Sequence, residues 1–514
     1  MLSIRYFIKI LIFFLFIFLI FWIFYLNKKN QIDIKVPEVN RNFERIRKPA
    51  VSGTFYPSKK EDLEKQISIF LNNAENFEIK EKIRILITPH AGLSYSGQVA
   101  AYGYKQLKDN NYSKVILLGS SHKRSFNFIA IDDNDYWETP LGKVELDKDL
   151  IKSLVNNDSV KLDSSPHSEE HSLEIELIFL QSVLNDFKIT PILIGQVDEY
   201  FLMMLAQKLS YNFDENTLLV VSSDLSHYPK YEDANNIDYK TINSILDGDV
   251  EKFKHTLKEI NESSYNGLVT TACAKDAIET ALEIGNILGI KNYKNLIYKN
   301  SGDVTNDKNR VVGYVSIVGY SDFLEKFTIR VNQQDKIKIL KLARNTLESF
   351  LSKGELENYK EDSHLLNTPM GVFVTLKKNG YLRGCIGEFE PTKPMYKVIQ
   401  ETAISSATKD QRFKPLTYDE LKDIDIEISI MTPRKKVKDW KNIRLGIDGV
   451  VVKKGFNAGT FLPQVAEEFD WNLDEYLSQL CHQKANLDKE CYKDSSVDIF
   501  SFEVLSFSEK DSNF

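Results

Sequence analysis

Residues 83–122 read IRILITPHAGLSYSGQVAAYGYKQLKDNNYSKVILLGSSH, and this stretch decides the fold of the first half of the chain. The aliphatic runs IRILIT and KVILLG flank a segment with helical spacing of apolar residues, which predicts a strand, a helix and a strand. Strands that are apolar at every position are buried on both faces, as in a mostly parallel sheet covered by helices. ITPILIG (189–195) and TLLVVSSD (217–224) repeat the pattern. We therefore predict an α/β domain over residues 48–325.

The second half of the chain has a different pattern. Strand-like segments such as GVFVTLKKNGYLRGCIG (371–387) and IDIEISIM (424–431) are mixed with helical ones such as MYKVIQETAISSAT (395–408). Strands and helices in no regular alternation are typical of an α+β domain. We predict this second domain over residues 330–510.

Composition limits the function classes. The chain has 514 residues, Lys/Arg and Asp/Glu are interleaved, and the formal net charge is -7. This distribution lacks the basic patch that nucleic-acid binding requires, so we expect no nucleic-acid partner. The four cysteines are widely separated apart from the last pair, Cys481 and Cys491. This spacing does not indicate a disulfide framework, and we expect reduced thiols.

The N-terminus departs from this composition. Residues 7–26 read FIKILIFFLFIFLIFWIFYL, and a helix of that length spans about 30 Å, the thickness of a bilayer core. We predict an uncleaved membrane anchor over residues 1–27, followed by a polar and basic tether over residues 28–47. The basic residues after the apolar run favour a single-pass membrane protein with cytoplasmic soluble domains.

Several side chains of the types that can bind metals or transfer protons follow the predicted strands of the first domain. His90, His122, Asp224 and His227 all come after such strands, and Cys273 adds a thiol within GLVTTACAKDA. The carboxyl ends of strands in an open α/β sheet lie along one edge, so these residues are expected to share a crevice. Imidazole and thiolate bind borderline divalent metals. The pattern therefore predicts a metal site at this edge.

Each of these residues also has an ordinary structural interpretation, and the pattern alone does not choose. A lone histidine after a strand is usually a hydrogen-bonded loop residue, Cys273 resembles a small buried hydrophobic residue, and Asp224 is suited to a helix N-cap. His167 and His171 are spaced to share one face at a helix start. They are open to use as ligands, substrate-binding groups or caps.

A family resemblance adds to this interpretation. Residues 46–320 resemble the Memo family, which is similar in fold to the class III extradiol dioxygenases. The motifs that carry the resemblance are, in order, SGTFYP, TPHAGLSYSG, GSSH, WETPLG, HSLEIELIFL, PILIG, SSDLSHY and TACAKDA.

The resemblance implies a non-haem metal site. The family's metal ligands fall on His90, His122 and Cys273, while Asp224 and His227 line the same pocket and carry the catalytic roles. His227 would carry protons and Asp224 would orient its ring. The resemblance favours iron or copper over zinc. The thiolate in place of a carboxylate ligand separates the site from the ring-cleaving dioxygenases.

The second domain resembles the AMMECR1 family over residues 335–508, through GYLRGCIGEFEP, SSATKDQRFKPL and AGTFLPQVAEEFDW. The functional interpretation makes Cys385 a nucleophile or ligand and Arg383 an anion-binding residue. The structural alternative is a buried cysteine in a glycine-containing turn, with Arg412 paired to a carboxylate. Cys481 and His482 are expected to be structural.

These resemblances imply a partner and leave three classes of function. Proteins of the two families often accompany a radical SAM protein in one system, the AmmeMemoRadiSam system, which suggests that protein as a partner. The first hypothesis is a metal-dependent redox enzyme acting on an unknown small molecule or peptide. The alternatives are a metal-binding or metal-buffering protein without turnover and a metal-free scaffold that binds a ligand.

Overall fold

The computed structural model describes residues 44–511 except 109, 156–158, 326–328, 330, 357–358, 360–362, 390–392 and 438. In the first half of the chain, strands are interspersed with helices along the sequence. The strands are β1 Ile46–Arg47, β2 Ile83–Thr88, β3 Lys114–Ser120, β4 Ile129–Ile131, β5 Tyr136–Thr139, β6 Gly142–Glu145, β7 Val160–Leu162, β8 Lys188–Ile194, β9 Thr217–Ser222, β10 Asn292–Asn300 and β11 Gly313–Tyr320. The helices are α1 Lys60–Asn73, α2 Leu93–Lys105, α3 Lys148–Leu154, α4 Ser172–Val183, α5 Glu199–Asn212, α6 Tyr231–Leu246, α7 Val250–Glu262, α8 Lys275–Leu288 and α9 Ser301–Thr305.

Eight of these strands form one sheet in the order β10-β11-β2-β9-β3-β8-β4-β7. The four central neighbours β2, β9, β3 and β8 are parallel, so their carboxyl ends lie at the same edge. Every residue of β2 and of β9 is buried, as their continuous apolar sequences predict. The remaining strands β1, β5 and β6 form a small separate sheet.

The prediction of a mostly parallel sheet has to be corrected to a mixed one. Strand β11 pairs antiparallel with both β10 and β2, and β4 pairs antiparallel with β8. The sequence signal behind the prediction was burial on both faces, and a continuous apolar run reports burial without reporting strand direction.

The helix in the quoted stretch packs closely on the sheet. A Cβ atom on Gly103 of α2 would lie 2.5 Å from both Leu86 Cδ1 of β2 and Ser316 Oγ of β11, so a larger residue would push the helix away. Arg84 is the charged exception in β2. Its guanidinium donates to the carbonyl oxygens of Ser321 and Glu215, both at 2.9 Å, at the end of the strand away from the carboxyl edge.

The second half of the chain forms an antiparallel sheet with helices packed on it. The strands are β12 Gly371–Lys378, β13 Tyr381–Glu388, β14 Ile424–Met431, β15 Lys435–Lys436, β16 Asp448–Lys454, β17 Asn457–Phe461 and β18 Asp498–Ser508. The helices are α10 Gln333–Lys353, α11 His364–Asn367, α12 Met395–Thr408, α13 Gln464–Glu468 and α14 Leu473–Gln479. The sheet runs β13-β12-β14-β18-β16-β17, with β15 paired to β18, and α10 and α12 contribute to the core on one side. The domain boundaries 48–325 and 330–510 stay predictions.

The prediction of a membrane-anchored fold is also corrected. Within the part of the chain that the structure describes, no helix combines the length and the apolar character needed to cross a bilayer. The apolar segment on which the prediction was based, residues 7–26, lies outside the described residues. The same finding overturns the predicted membrane localisation with cytoplasmic soluble domains.

The last residues of the predicted tether have regular structure. Ile46–Arg47 form β1, which pairs with β5. Arg47 is buried, forms an ion pair with the equally buried Glu174, and lies over the ring of Trp137. Glu174 also accepts hydrogen bonds from the backbone of Ala50 and Val51. This network ties the start of the first domain to α4.

Candidate metal centre

Three neighbouring strands bring polar residues to one edge of the sheet. His90 follows β2, Asp224 follows β9 and His122 follows β3, and these strands are adjacent and parallel. The side chain at each position therefore leaves the sheet in the same direction, into the region beyond its carboxyl edge. The sequence pattern and the structure agree on this placement.

A fourth residue, His171, joins this edge from the start of α4. The ring centroids of His90 and His122 are 4.9 Å apart, those of His90 and His171 5.3 Å, and those of His122 and His171 4.8 Å. One ring nitrogen from each of the three lies within 4.8 Å of the others. Three imidazole nitrogens this close are placed to hold a metal ion.

Glu170 holds two of the three histidines. Its carboxylate accepts from the backbone N–H of His122 at 2.6 Å and from His122 Nδ1 at 3.0 Å, and also from the backbone N–H groups of His171 and Ser172, both at 3.1 Å. Burial opposes ionisation of Glu170, but the hydrogen bond from His122 and the close approach of the His171 imidazole outweigh it and hold the pKa of the carboxyl well below its usual range. Glu170 is therefore an ionised carboxylate that fixes His122 with Nε2 unengaged.

His171 has an unsatisfied ring nitrogen. Its Nδ1 is buried and lies 3.2 Å from Glu170 Oε1, but the geometry is not that of a hydrogen bond, and no other described residue bonds it. A buried polar atom without a partner is uncommon and calls for an explanation. Together with the neighbouring imidazole donors, this orphaned nitrogen fits a site that receives a metal ion.

His90 is the most deeply buried of the three. Its backbone N–H donates to Asp224 Oδ1 at 2.9 Å, and its Nδ1 is 2.8 Å from Ser222 Oγ. Burial, with the neighbouring His122 and His171, lowers the pKa of His90 well below its ordinary value, so the ring is neutral. The other ring nitrogen, Nε2, is 3.4 Å from Cys273 Sγ. A neutral imidazole is the form that binds metals.

Cys273 lies beside this cluster. Its sulfur accepts a hydrogen bond from the backbone N–H of Asp224 at 3.2 Å. Burial raises the pKa of the Cys273 thiol, and the negative charge of Asp224 acts in the same direction. The sulfur is therefore a neutral thiol unless a cation stabilises the thiolate. The set His90, His122 and Cys273 stays a prediction, and His171 is the donor that the sequence argument left undecided.

Asp224 and His227 occupy the loop after β9. Burial raises the pKa of the Asp224 carboxyl, which positive charge on nearby histidines opposes. Asp224 is not a helix N-cap, because the next helix, α6, begins at Tyr231. His227 Nδ1 bonds the carbonyl of Leu225 at 2.9 Å, so a backbone carbonyl orients the ring where Asp224 was expected to do so. A neutral His227 must carry its proton on Nδ1, which leaves Nε2 basic.

The spacing of His167 and His171 was misleading. Residues preceding Ser172 form turns, α4 begins only at Ser172, and the two histidines do not share a helical face. His167 is fully buried, packs edge-on against Trp137 and has Nε2 3.2 Å from the carbonyl oxygen of Ala130. His167 is therefore a core residue outside the histidine cluster.

In the second domain, the two arginines of the RGCIG and DQRF motifs are paired. Arg383 Nε and Nη2 donate to Glu420 at 2.9 and 3.0 Å, and Arg412 Nε and Nη2 donate to Asp410 at 2.9 and 2.7 Å. Asp410 also accepts from the backbone N–H of Cys385 at 2.9 Å. The structural alternative for Arg412 matches this arrangement. A functional role for Arg383 and Cys385 stays a prediction.

The expectation of reduced thiols has to be corrected for two cysteines. Cys481 and Cys491 form a disulfide, while Cys273 and Cys385 are free. Both members of the disulfide are buried in the core that covers β16 and β17. A single local bridge does not need the several regularly spaced cysteines of a disulfide framework, so the cysteine spacing did not reveal it.

Comparison with known proteins agrees with this architecture. A family model for Memo-like protein matches residues 47–318, and one for AMMECR1 matches residues 340–507. The chain belongs to the Memo-like family, with an AMMECR1 domain fused after the Memo-like domain. The predicted fold relation to class III extradiol dioxygenases is not shown by these matches and stays a prediction.

Individual relatives each match part of the chain over nearly their own full length. A MEMO1 family protein of Nitrosopumilus maritimus is 36% identical over 279 residues, which is 53% of this chain and 98% of that protein. The MEMO1 family protein TV1383 of Thermoplasma volcanium is 34% identical over 275 residues, again 53% of this chain and 98% of the relative. The crystal structure of protein PH0010 from Pyrococcus horikoshii is 32% identical over 34% of this chain and 92% of its own, with a TM-score of 0.32.

Proposed function

We propose that the chain binds iron or copper at His90, His122 and His171 and acts as a metal-dependent redox enzyme on a small molecule or peptide. The observation that carries the proposal is the approach of the three ring nitrogens to within 4.8 Å of one another. Imidazole suits iron, copper and zinc, and the family resemblance favours the first two over zinc.

The surrounding residues support a catalytic metal site rather than a structural one. Three protein ligands leave a position for water or substrate, whereas closed sites use four. Glu170 orients His122, and Ser222 contacts His90, as expected of groups that hold metal ligands in place. A bound iron or copper ion would supply one-electron redox chemistry at this edge of the sheet.

The protein's own contribution to turnover is proton transfer and positioning. His227 donates from Nδ1 to the Leu225 carbonyl and keeps Nε2 available to take a proton from substrate. Asp224 Oδ1 accepts a hydrogen bond from the backbone N–H of His90 and so holds the loop that carries this histidine. We assign the proton-carrying role to His227 and a positioning role to Asp224.

Metal analysis tests the binding part of the proposal. Protein purified anaerobically, together with the His122→Ala, His171→Ala and Cys273→Ser variants, is analysed for bound elements. His255, an exposed histidine of α7, supplies the matched control His255→Ala. We expect iron or copper near one equivalent in the wild type and control and severalfold less in His122→Ala and His171→Ala. Equal metal content in all variants would contradict the site.

Oxygen consumption or superoxide formation tests the redox part. We expect metal-loaded wild type to consume oxygen in the presence of a reductant and the chelated protein to be inactive. Metal binding without any turnover would favour the metal-buffering alternative. Ligand binding that survives chelation would favour the metal-free scaffold. A radical SAM protein as partner remains a prediction from the family resemblance.

A further inference from the structure

A chain of buried polar groups leads from His90 into the core between the sheet and α4. Ser222 Oγ lies 2.8 Å from His90 Nδ1, 2.8 Å from Glu176 Oε1 and 2.9 Å from the Ser172 carbonyl oxygen. Tyr104 OH lies 2.6 Å from the other carboxyl oxygen of Glu176. Ser222, Glu176 and Tyr104 have no exposed surface, so these groups are separated from bulk water.

Counting protons decides the direction of each hydrogen bond. The Ser222 hydroxyl has one proton and two lone pairs, and the Ser172 carbonyl can only accept. If the hydroxyl proton goes to Ser172, then His90 Nδ1–H and a protonated Glu176 both donate to Ser222 Oγ. Tyr104 donates to the remaining oxygen of Glu176. In this arrangement every short contact contains one proton.

The other arrangements leave an oxygen pair in contact without a proton. An ionised Glu176 would take the Ser222 proton, and Ser222 Oγ would then face the Ser172 carbonyl at 2.9 Å with lone pairs on both atoms. A His90 that accepts at Nδ1 would take the same proton and produce the same contact. Unsatisfied or repulsive contacts between buried polar atoms are costly, so these arrangements are disfavoured.

The surroundings of Glu176 agree with a neutral carboxylic acid. Burial raises the pKa of Glu176 well above its ordinary value; the contacts with the Tyr104 and Ser222 hydroxyls only partly oppose this, and the charge of Asp224 adds to it. Its two hydrogen-bond partners are the neutral hydroxyls of Tyr104 and Ser222. In contrast, Glu170 and Glu174 of the same region contact histidines and an arginine.

We propose that Glu176 is a positioning residue, a protonated carboxylic acid that acts through Ser222 to hold His90 in the tautomer with its proton on Nδ1. That tautomer presents the Nε2 lone pair on the side of the ring where Cys273 lies, and a lone pair is what a metal ligand needs. The role in metal binding rests on the proposed function, whereas the tautomer is a property of the metal-free chain.

Two substitutions distinguish the positioning of His90 from a role in core packing alone. Glu176→Gln replaces the acid with an amide of the same shape that still donates to Ser222 and accepts from Tyr104, so it should rescue the network. Ser222→Ala removes the link to His90. The control Ser316→Ala deletes another fully buried serine hydroxyl, one that has no hydrogen-bond partner among the described residues.

The first readout is nitrogen NMR of metal-free, ¹⁵N-histidine-labelled full-length protein, with His90 assigned by a His90→Gln variant. We expect a pure Nδ1–H tautomer in the wild type, Glu176→Gln and Ser316→Ala, and a mixture containing the Nε2–H form in Ser222→Ala. A pure Nδ1–H tautomer in Ser222→Ala, or its loss in Glu176→Gln, would overturn the proposal.

The second readout is the affinity for Co²⁺, followed by its visible absorption. We expect Glu176→Gln and Ser316→Ala to bind within about twofold of the wild type and Ser222→Ala to bind about 10- to 100-fold more weakly, the usual loss for groups that orient metal ligands. Equal affinity of Ser222→Ala and wild type would overturn the metal-binding role of the network. If Co²⁺ binds to no variant, wild type included, the proposed function fails, and the tautomers alone decide whether Glu176 and Ser222 set His90.

Discussion

Glu170 binds His122 twice, through the backbone N–H at 2.6 Å and through the imidazole Nδ1 at 3.0 Å. The two bonds fix both the position of the residue and the rotation of its ring. His122 Nδ1 donates its proton to Glu170, and the lone pair of Nε2 is therefore available to bind a metal. Glu170 also borders His171 in sequence and in space, so one carboxylate organises two of the three histidines.

The first prediction concerns this carboxylate. Glu170→Gln should weaken metal binding by about 10- to 100-fold, because an amide cannot accept from several N–H donors as a carboxylate does. Isothermal titration of the metal-free protein measures the change. Glu169→Gln, at the exposed neighbouring position, is the matched control and should bind normally. Equal affinity in both variants would show that Glu170 does not hold the site.

The second prediction separates proton transfer from metal binding. His227→Gln should retain bound metal, because His227 lies outside the three-histidine cluster, while its metal-dependent oxygen consumption should fall about 100-fold. Glutamine can still donate to the Leu225 carbonyl but has no basic nitrogen. Elemental analysis and an oxygen electrode measure the two effects, with His255→Gln as the control. A full rate in His227→Gln would rule out a proton-carrying role.

The third prediction concerns pH and the loop after β9. Asp238 of α6 accepts from the backbone N–H of Ser226 and from Tyr298, and burial raises the pKa of its carboxyl to about 7. The folded chain therefore keeps a proton that the unfolded chain loses above about pH 4. The free energy of unfolding should fall as pH rises from about 4 to 7, by about 1.4 kcal/mol per pH unit from this group.

Urea denaturation at several pH values tests this dependence. Asp238→Asn should flatten the slope between pH 5 and 7, because the amide does not titrate. Glu232→Gln, an exposed position on the same helix, should leave the slope as in the wild type. Parallel slopes for Asp238→Asn and the wild type would contradict the assignment.

The fourth prediction concerns the disulfide of the second domain. The bridge between Cys481 and Cys491 closes a loop of 10 residues, and constraint of such a loop in the unfolded chain contributes about 2–3 kcal/mol. A reductant should lower the stability of the second domain by this amount in denaturant titrations. The free thiol variant Cys385→Ser should show the same loss on reduction. No change on reduction would mean that the bridge contributes nothing to stability.

The sequence predicted the placement of His90, His122 and Asp224 because a simple rule connects pattern to position. Apolar runs mark strands, parallel strands end at one edge, and the residues that follow them meet there. Nothing in this rule requires the strands to be consecutive, and β9 indeed lies between β2 and β3.

The same rule does not predict residues that reach the site from the start of a helix. His171 immediately precedes α4. Its spacing from His167 suggested a shared helical face, but the residues between them form turns. Glu170, Glu176 and Ser222 act through hydrogen bonds between segments distant in sequence, which periodicity does not report. An ionisable residue such as Glu176 within the otherwise apolar run LEIELIFL was the available signal, because buried carboxyls need partners.

The central claim is that His90, His122 and His171 hold a metal ion, and an anomalous-difference map from metal-loaded crystals tests it most directly. We expect one peak between the three rings, about 2 Å from a ring nitrogen of each histidine, with an absorption edge of iron or copper. A map with no peak between the rings, or with the metal bound elsewhere on the chain, would contradict it.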